Sequence, residues 1–290
     1  MKQLIAKADV LIEALPYIQR FRDAIIVVKF GGSAMEKQAN HDGILLDITF
    51  LECAGMLPVI VHGGGKAISR AMGEAGLTAT FVQGLRVTDT AAIAVVERVI
   101  RGQVNAGIVR KLTEQGARAR HIDGTSIFKV IKRTGTDPAT GHRIDWGFVG
   151  EITDVDTAPI KSCLEDHAIP VITPLGRGAD GRTYNLNADD AAAATARALK
   201  ARKLAMLSDV PGLLRDRNDA HSLIPHLRIR EVEKLIAKGV IDGGMLPKIR
   251  GCVDALAAGV KKIHIIDGRM SHSLLLEIFT DKGTGTEIIE

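Results

Sequence analysis

Two glycine turns, each behind a continuous apolar run, carry the first chemical signal in this chain. One is Lys29-Phe30-Gly31-Gly32-Ser33 after Ile25 to Val28; the other is His62-Gly63-Gly64-Gly65 after Pro58 to Val61. Glycine lets a backbone come close to a ligand and reach φ > 0. A helix starting after such a turn aims free N–H groups and the positive end of its dipole at the same point. For chemistry, the pair reads as an anion cradle with Lys29 beside it; for structure alone, each is a tight turn. Two turns behind neighbouring buried strands, one with a lysine, favour phosphate. Neither is a Walker A loop, because Ile60 stands where the first glycine would be and Ala67 replaces the hydroxyl residue. No G-x-G-x-x-G follows a strand.

Other polar residues are ambiguous when taken singly. Asp189 reads equally as an acid favoured at a helix N-terminus, Asn185 and Asn187 as turn residues, and His62 as structural. The run Ala191 to Ala194 reads as helix propensity. Cys53, Cys163 and Cys252 are odd in number, far apart and in no CxxC spacing, which argues against a disulfide framework or a zinc site. Reduced thiols, no signal peptide and no run near the ~20 apolar residues of a membrane helix lead us to expect a soluble, cytoplasmic protein.

These groups need a scaffold, and the chain is rich enough to build one. It has 290 residues, 46% of them hydrophobic and 25% charged. A net charge of +4 and an aromatic fraction of 3% leave no stacking platform or phosphate-neutralising stripe for nucleic acid. From Ala24 onward strands and helices alternate. Strands are expected at Ile25 to Phe30, Pro58 to His62, Pro170 to Thr173, Lys203 to Leu207 and, as the last clear one, Lys261 to Ile266. Helices are expected at Asp42 to Met56, Lys66 to Ala75, Thr90 to Glu114 and Ala188 to Leu199. Val130 to Gly150 is hairpin-like, with turn chemistry at Asp137-Pro138 and Gly141. The pattern predicts an α/β protein, a three-layer αβα sandwich with a mostly parallel central sheet. Ligands in such sheets bind beyond the carboxyl ends of strands, where both glycine turns fall. Ahead of this domain, Leu4, Ile5, Ala8, Leu11, Ile12 and Leu15 form one apolar stripe on a helix, with a kink or break expected before Pro16. The organisation expected is a helical extension, 1–23, and a domain, 24–290, whose two lobes divide near Asp180-Gly181.

VVKFGGS and VIVHGGG resemble the first two signatures of the amino acid kinase family. Gly84-Leu85-Arg86-Val87-Thr88, Asn185-Leu186-Asn187-Ala188-Asp189, Leu207-Ser208-Asp209-Val210-Pro211-Gly212-Leu213 and Gly243-Gly244-Met245-Leu246-Pro247-Lys248 continue the resemblance in order, toward the acetylglutamate kinases of that family. It covers essentially the whole chain. What it implies is phosphoryl transfer from ATP, with Mg2+ held mainly by phosphates and water, to the side-chain carboxylate of N-acetyl-L-glutamate. A carboxylate with an ordinary pKa of about 4.3 needs no general base, so catalysis should be positioning and charge neutralisation. By resemblance, Lys29 and Lys248 flank the moving phosphoryl group and Asp189 holds both lysines. Gly32 and Gly64 offer backbone N–H groups. Gly64, Gly65, Arg86 and Asn185 seat the substrate. Gly31, Gly32, Ser208, Asp209, Val210, Gly212 and Leu213 belong to the nucleotide site.

The N-terminal extension and Leu274 to Gly285 resemble the arginine-inhibited kind. That resemblance implies a homohexamer, with Tyr17, Glu277 and Gly283 at an arginine effector site, and raises a PII-type signal protein as a possible partner. Three features depart from the pattern: Lys66 where proline is usual, a shortened segment His121 to Ser126, and Trp146 where a smaller residue is usual. An acetylaminoadipate kinase and a non-catalytic arginine- or nucleotide-binding regulator remain the alternatives.

Overall fold

β-branched, uncharged runs cannot present a polar face, so they settle where helices cover both sides of a sheet. The computed structural model describes residues 1–31, 38–137, 140–280 and 283–290. Gly32 and Ser33 of the first turn, Pro138 of the expected hairpin turn, and Asp281 and Lys282 lie outside the described residues.

In chain order the first elements are α1 (Lys2–Phe21), β1 (Ile25–Phe30), α2 (Gln38–Cys53), β2 (Leu57–His62), α3 (Gly65–Glu74), β3 (Phe81–Val82), β4 (Leu85–Arg86) and α4 (Thr90–Arg98). A π-helical stretch, Val99–Asn105, joins α4 to α5 (Ala106–Glu114). Next come β5 (Ala119–Ile122), α6 (Gly124–Ile127), β6 (Phe128–Thr136), β7 (Arg143–Val155), α7 (Ala158–Glu165), β8 (Ile169–Ile172), β9 (Leu175–Gly178) and β10 (Thr183–Asn185). The last are α8 (Ala188–Ala198), β11 (Lys203–Ser208), β12 (His226–Arg228), α9 (Ile229–Ala237), α10 (Met245–Ala257), β13 (Ile263–Asp267), α11 (Ser273–Phe279) and β14 (Thr286–Ile289).

Eight strands form one sheet in the order β12-β14-β13-β11-β1-β2-β8-β5, and β13/β14 is the one antiparallel pair among them. Alternate residues of β1 enter two cores: Val27 packs with α7, α8 and α10, whereas Ile26, Val28 and Phe30 pack with α2, α5 and α11. This is the expected three-layer arrangement. The alanines of α8 do more than favour a helix. Ala191, Ala192, Ala194 and Ala196 are buried, and their small size lets α8 lie close to the sheet. β6 and β7 form the expected hairpin and join β9 and β10 in a four-stranded closed barrel.

Two expectations are narrowed. Of the kink or break expected at Pro16, no break forms, because α1 continues through it to Phe21. Proline removes the bond to the Ile12 carbonyl, but Ile12 and Pro16 are exposed and water can take that bond's place. After Lys261 to Ile266, the last clear strand in the sequence, β14 follows, its four residues too short for a periodic signal. Asp180-Gly181 sits in the turn between β9 and β10, and strands from before and after it share the one sheet.

Candidate active site

Parallel pairing aligns the carboxyl ends of β1 and β11, with Lys29 opposite Met206, and places the β2 turn beside them. Gly63 N–H donates to the Phe30 carbonyl at 2.8 Å. A Cβ on Gly31 would come within 3.2 Å of Gly63 N, a tight contact that the two turns would have to shift slightly to admit.

Across this edge, Asn187 caps α8 by accepting from the N–H groups of Asp189 (2.7 Å) and Asp190 (3.1 Å). The cap fixes Asp189 in the first helical turn. Lys29 Nζ lies 2.9 Å from one Asp189 oxygen, and Lys248 Nζ lies 4.0 Å from the other. Lys248 also donates to Ser208 Oγ at 3.1 Å. Burial alone would raise the pKa of Asp189, but the two ammonium groups outweigh it and hold the carboxyl below its ordinary value. Two cations thus share one anion, leaving a net positive charge at the mouth of a cavity of about 1090 Å³ lined by Lys29, Gly63, Gly64, Gly65 and Asp189.

Arg86 ends β4, one arm of the small β3–β4 hairpin. Trp146 holds that hairpin by donating from Nε1 to the Val82 carbonyl at 2.9 Å, and Gly135 leaves room for the indole. This gives the unusual tryptophan a structural role. Arg86 is 6% exposed and stacks 4.6 Å from the centre of the Phe81 ring. Its Nη2 donates to Gly65 O and Ser69 Oγ, both at 2.7 Å. Burial pulls its pKa below the ordinary value. No carboxylate among the described residues pairs with it. Arg86, Asn185, Gly64 and Gly65 line one cavity of about 160 Å³.

The segment after β11 is held by packing. Leu213 is buried and its N–H donates to Thr286 Oγ1 at 2.8 Å. Gly212, at φ 143°, leaves no space for a Cβ, which would meet the same Oγ1 at 2.6 Å. Ser208 and Asp209 lie at the carboxyl end of β11, on the side of Lys248, with Val210 next along the chain.

The pattern of the amino acid kinase family matches residues 24–267. The chain belongs to that family. Relatives of full length include the acetylglutamate kinase of Heliobacterium modesticaldum, 44% identical with 100% of each chain covered. That of Akkermansia muciniphila is 48% identical, with 99% of this chain and 97% of the other covered. Among solved structures, N-acetylglutamate synthase from Neisseria gonorrhoeae, complexed with coenzyme A and N-acetyl-glutamate, superposes with a TM-score of 0.83 at 28% identity. The match covers 97% of this chain but only 62% of the synthase. Carbamate kinase from Giardia lamblia shares the fold, with a TM-score of 0.65 at 16% identity over 92% of this chain and 98% of that one.

Within this amino acid kinase fold a cavity of about 550 Å³, second to the site just described, opens at the opposite ends of the strands. Tyr17, Glu277 and Gly283 line it together with Lys203, Lys262 and Glu287. Glu277 accepts from His264 Nδ1 at 2.6 Å and from the N–H groups of Thr284 (2.7 Å) and Gly285 (3.1 Å). Against the opposing effect of burial, these contacts lower its pKa to about 2. Gly283, at φ 60°, makes room, because a Cβ there would lie 2.8 Å from Glu277 Oε1. Burial pushes the Lys203 ammonium down to about 8.

Sequence reasoning missed Ser69, Lys203, Lys262, His264 and Glu287, and it left Asn105 unmentioned. Ser69 lies four residues after Gly65 on the same helix face, a spacing that could have shown it. Lys203, Lys262, His264 and Glu287 come together only through sheet order, and Asn105 through the π-helical stretch.

Proposed function

We propose that this chain transfers the γ-phosphoryl group of ATP to the side-chain carboxylate of N-acetyl-L-glutamate, giving N-acetyl-L-glutamyl 5-phosphate and ADP, the second step of arginine biosynthesis. The carrying observation is the pair Lys29 and Lys248 on the single carboxylate of Asp189, seen against full-length relatives that are acetylglutamate kinases. A carboxylate oxygen of the acceptor attacks the γ-phosphorus as the bond to the β–γ bridging oxygen breaks, and ADP leaves. Both ammonium groups lower the repulsion between acceptor and phosphate and stabilise charge on the moving group. Asp189 keeps the lysines apart and aimed, and takes no proton. Arg86, buried without an acid among the described residues, pairs the α-carboxylate of the substrate, while Asn185 and the backbone of Gly64 and Gly65 orient its acyl end. Ser208 to Leu213 flank the nucleotide.

Among the described residues no group of three or more His, Cys, Asp and Glu could hold a metal. This donor set fits Mg2+ carried on ATP phosphates and water, where it would neutralise phosphate charge.

The second cavity fits an arginine effector: Glu277 is fully ionised near neutral pH and suits a guanidinium, and Tyr17 brings α1 into the same site. Leu4, Ile5, Leu11 and Ile12 of α1 are more than half exposed, an apolar stripe that suits exchange between dimers in a homohexamer. A PII-type protein remains a candidate partner, and cytoplasm the compartment proposed. No helix among the described residues is long and apolar enough to cross a membrane.

The test is ATP-dependent acyl phosphate formation trapped as the hydroxamate, with N-acetyl-L-glutamate and N-acetyl-L-aminoadipate side by side, with and without arginine. Turnover of the glutamate compound, suppressed by arginine, is expected. Folded, ATP-binding protein that turns over neither compound would refute the kinase reading.

A further inference from the structure

His62 is wholly buried directly beneath the second glycine turn, and its ring is held at both nitrogens. Nε2 lies 3.0 Å from Asn105 Nδ2, and Nδ1 lies 2.7 Å from the Gly63 carbonyl oxygen. The proton can be located from the partners. Asn105 Nδ2 is also 2.9 Å from the Val171 carbonyl oxygen, which only accepts, so this atom is the amide nitrogen. Asn105 Oδ1 correspondingly faces His121 Nδ1 at 2.7 Å. An amide nitrogen facing His62 Nε2 requires Nε2 to accept. The ring proton therefore sits on Nδ1 and is donated to Gly63 O. Burial, which lowers the pKa of His62 to about 4, keeps the ring neutral and this single tautomer in place.

This hydrogen bond has a consequence at the next atom. The peptide unit between Gly63 and Gly64 is planar and trans, so its N–H points opposite to its C=O. Pulling the Gly63 carbonyl towards the buried imidazole turns the Gly64 N–H away from it, to the side where Gly63, Gly64 and Gly65 line both site cavities. That N–H has no acceptor among the described residues.

Asn105 reaches His62 because it closes the π-helical stretch Val99–Asn105. Wide turns of this kind shift side-chain phase and concentrate at functional sites. The same stretch brings Ile100 against Gly64, where a Cβ would lie 2.6 Å from Ile100 Cδ1. One face of the turn is thus packed by Ile100 and its carbonyl is fixed by His62.

We propose that His62, oriented by Asn105 from the π-helical stretch, is a positioning residue that aims the Gly64 N–H at the negative charge on the transferring phosphoryl group or its acceptor. The inference rests on the acyl-kinase reading above and adds to it the device that presets one backbone donor. A donor preset in this way costs no reorganisation as charge develops.

The hydroxamate assay, run on the full chain, tests it with two variants. His62→Leu removes the donor. His62→Asn keeps an amide N–H near the position of Nδ1–H. His62→Leu should lower kcat about 10- to 100-fold, part of the effect of losing such a donor outright, with the KM for ATP within about twofold. His62→Asn should recover a substantial part of kcat. A folded His62→Leu with wild-type kcat, or a His62→Asn no better than it, overturns the inference. If His62→Leu fails to fold, Asn105→Ala is the readout. Loss of the fixed Nδ1–H signature of His62 in nitrogen NMR, with a parallel fall in kcat, supports the inference; an unchanged signature and an unchanged kcat overturn it. An inactive wild type refutes the kinase reading and this inference with it, whereas an active wild type with unaffected variants refutes the inference alone.

Discussion

The two cavities at opposite ends of the central strands treat charge in opposite ways. At the carboxyl ends, two lysines share Asp189 and Arg86 meets no acid among the described residues, so cationic charge is left over and faces the cavity. At the other ends, acids arrive already engaged: Glu277 by His264 and two backbone N–H groups, and Glu287 by Lys262 at 2.6 Å. Unspent donors suit a passing anion, whereas a fixed carboxylate that is ionised near neutral pH suits a stable cationic ligand.

The largest effect should come from removing the surplus charge. Lys29→Ala is expected to lower kcat about 10²- to 10³-fold while leaving arginine binding, measured by calorimetry, unchanged. A fall in arginine binding of similar size would break the separation between the cavities. Arg86→Gln should act on binding, raising the KM for N-acetyl-L-glutamate about 10- to 100-fold, as expected for a charged hydrogen bond lost from a buried site. A fall in kcat at unchanged KM would place Arg86 in the chemistry instead.

Glu277→Gln should raise the arginine concentration for half-inhibition about tenfold or more, with uninhibited turnover intact. The same residue gives a pH test. Its folded pKa, about 2, lies below the ordinary value of 4.5, so it contributes stability above pH 4.5 that is lost as pH falls through about 2. Urea denaturation of wild type and Glu277→Gln should therefore differ most above pH 4.5 and converge on acidification. The smallest effect on turnover belongs to α1. Ile12→Asp places a charge on the exposed stripe and should leave kcat within about twofold, yet shift the assembly from hexamer towards dimer in light scattering.

The same contrast explains what could be read from the sequence. The catalytic edge is assembled from short continuous segments: a buried strand, its glycine turn and the helix that follows. Lys29, the Gly63 to Gly65 turn and Asp189 each sit inside such a segment, so their neighbours announce them. The other cavity collects single residues from α1, β11, β13, α11 and β14. Lys203 and Glu287 look like ordinary surface charges until strand order brings their edges together. Asn105 was hidden differently. A helix written with uniform periodicity over Thr90 to Glu114 gives no sign of the widened turn that swings its side chain under His62. Pro16 does not end α1, because solvent around an exposed helix can replace the lost bond.

β11 connects the two regions physically. Lys203 at its start lines one cavity and Ser208 at its end holds Lys248 in the other, five residue steps apart, or about 17 Å of extended chain. The strand lies between β1 and β13 and is buried along its whole length. It works as a stiff spacer between the groups that line one cavity and those that line the other. A change at one rim of the protein therefore need not disturb the groups that line the other.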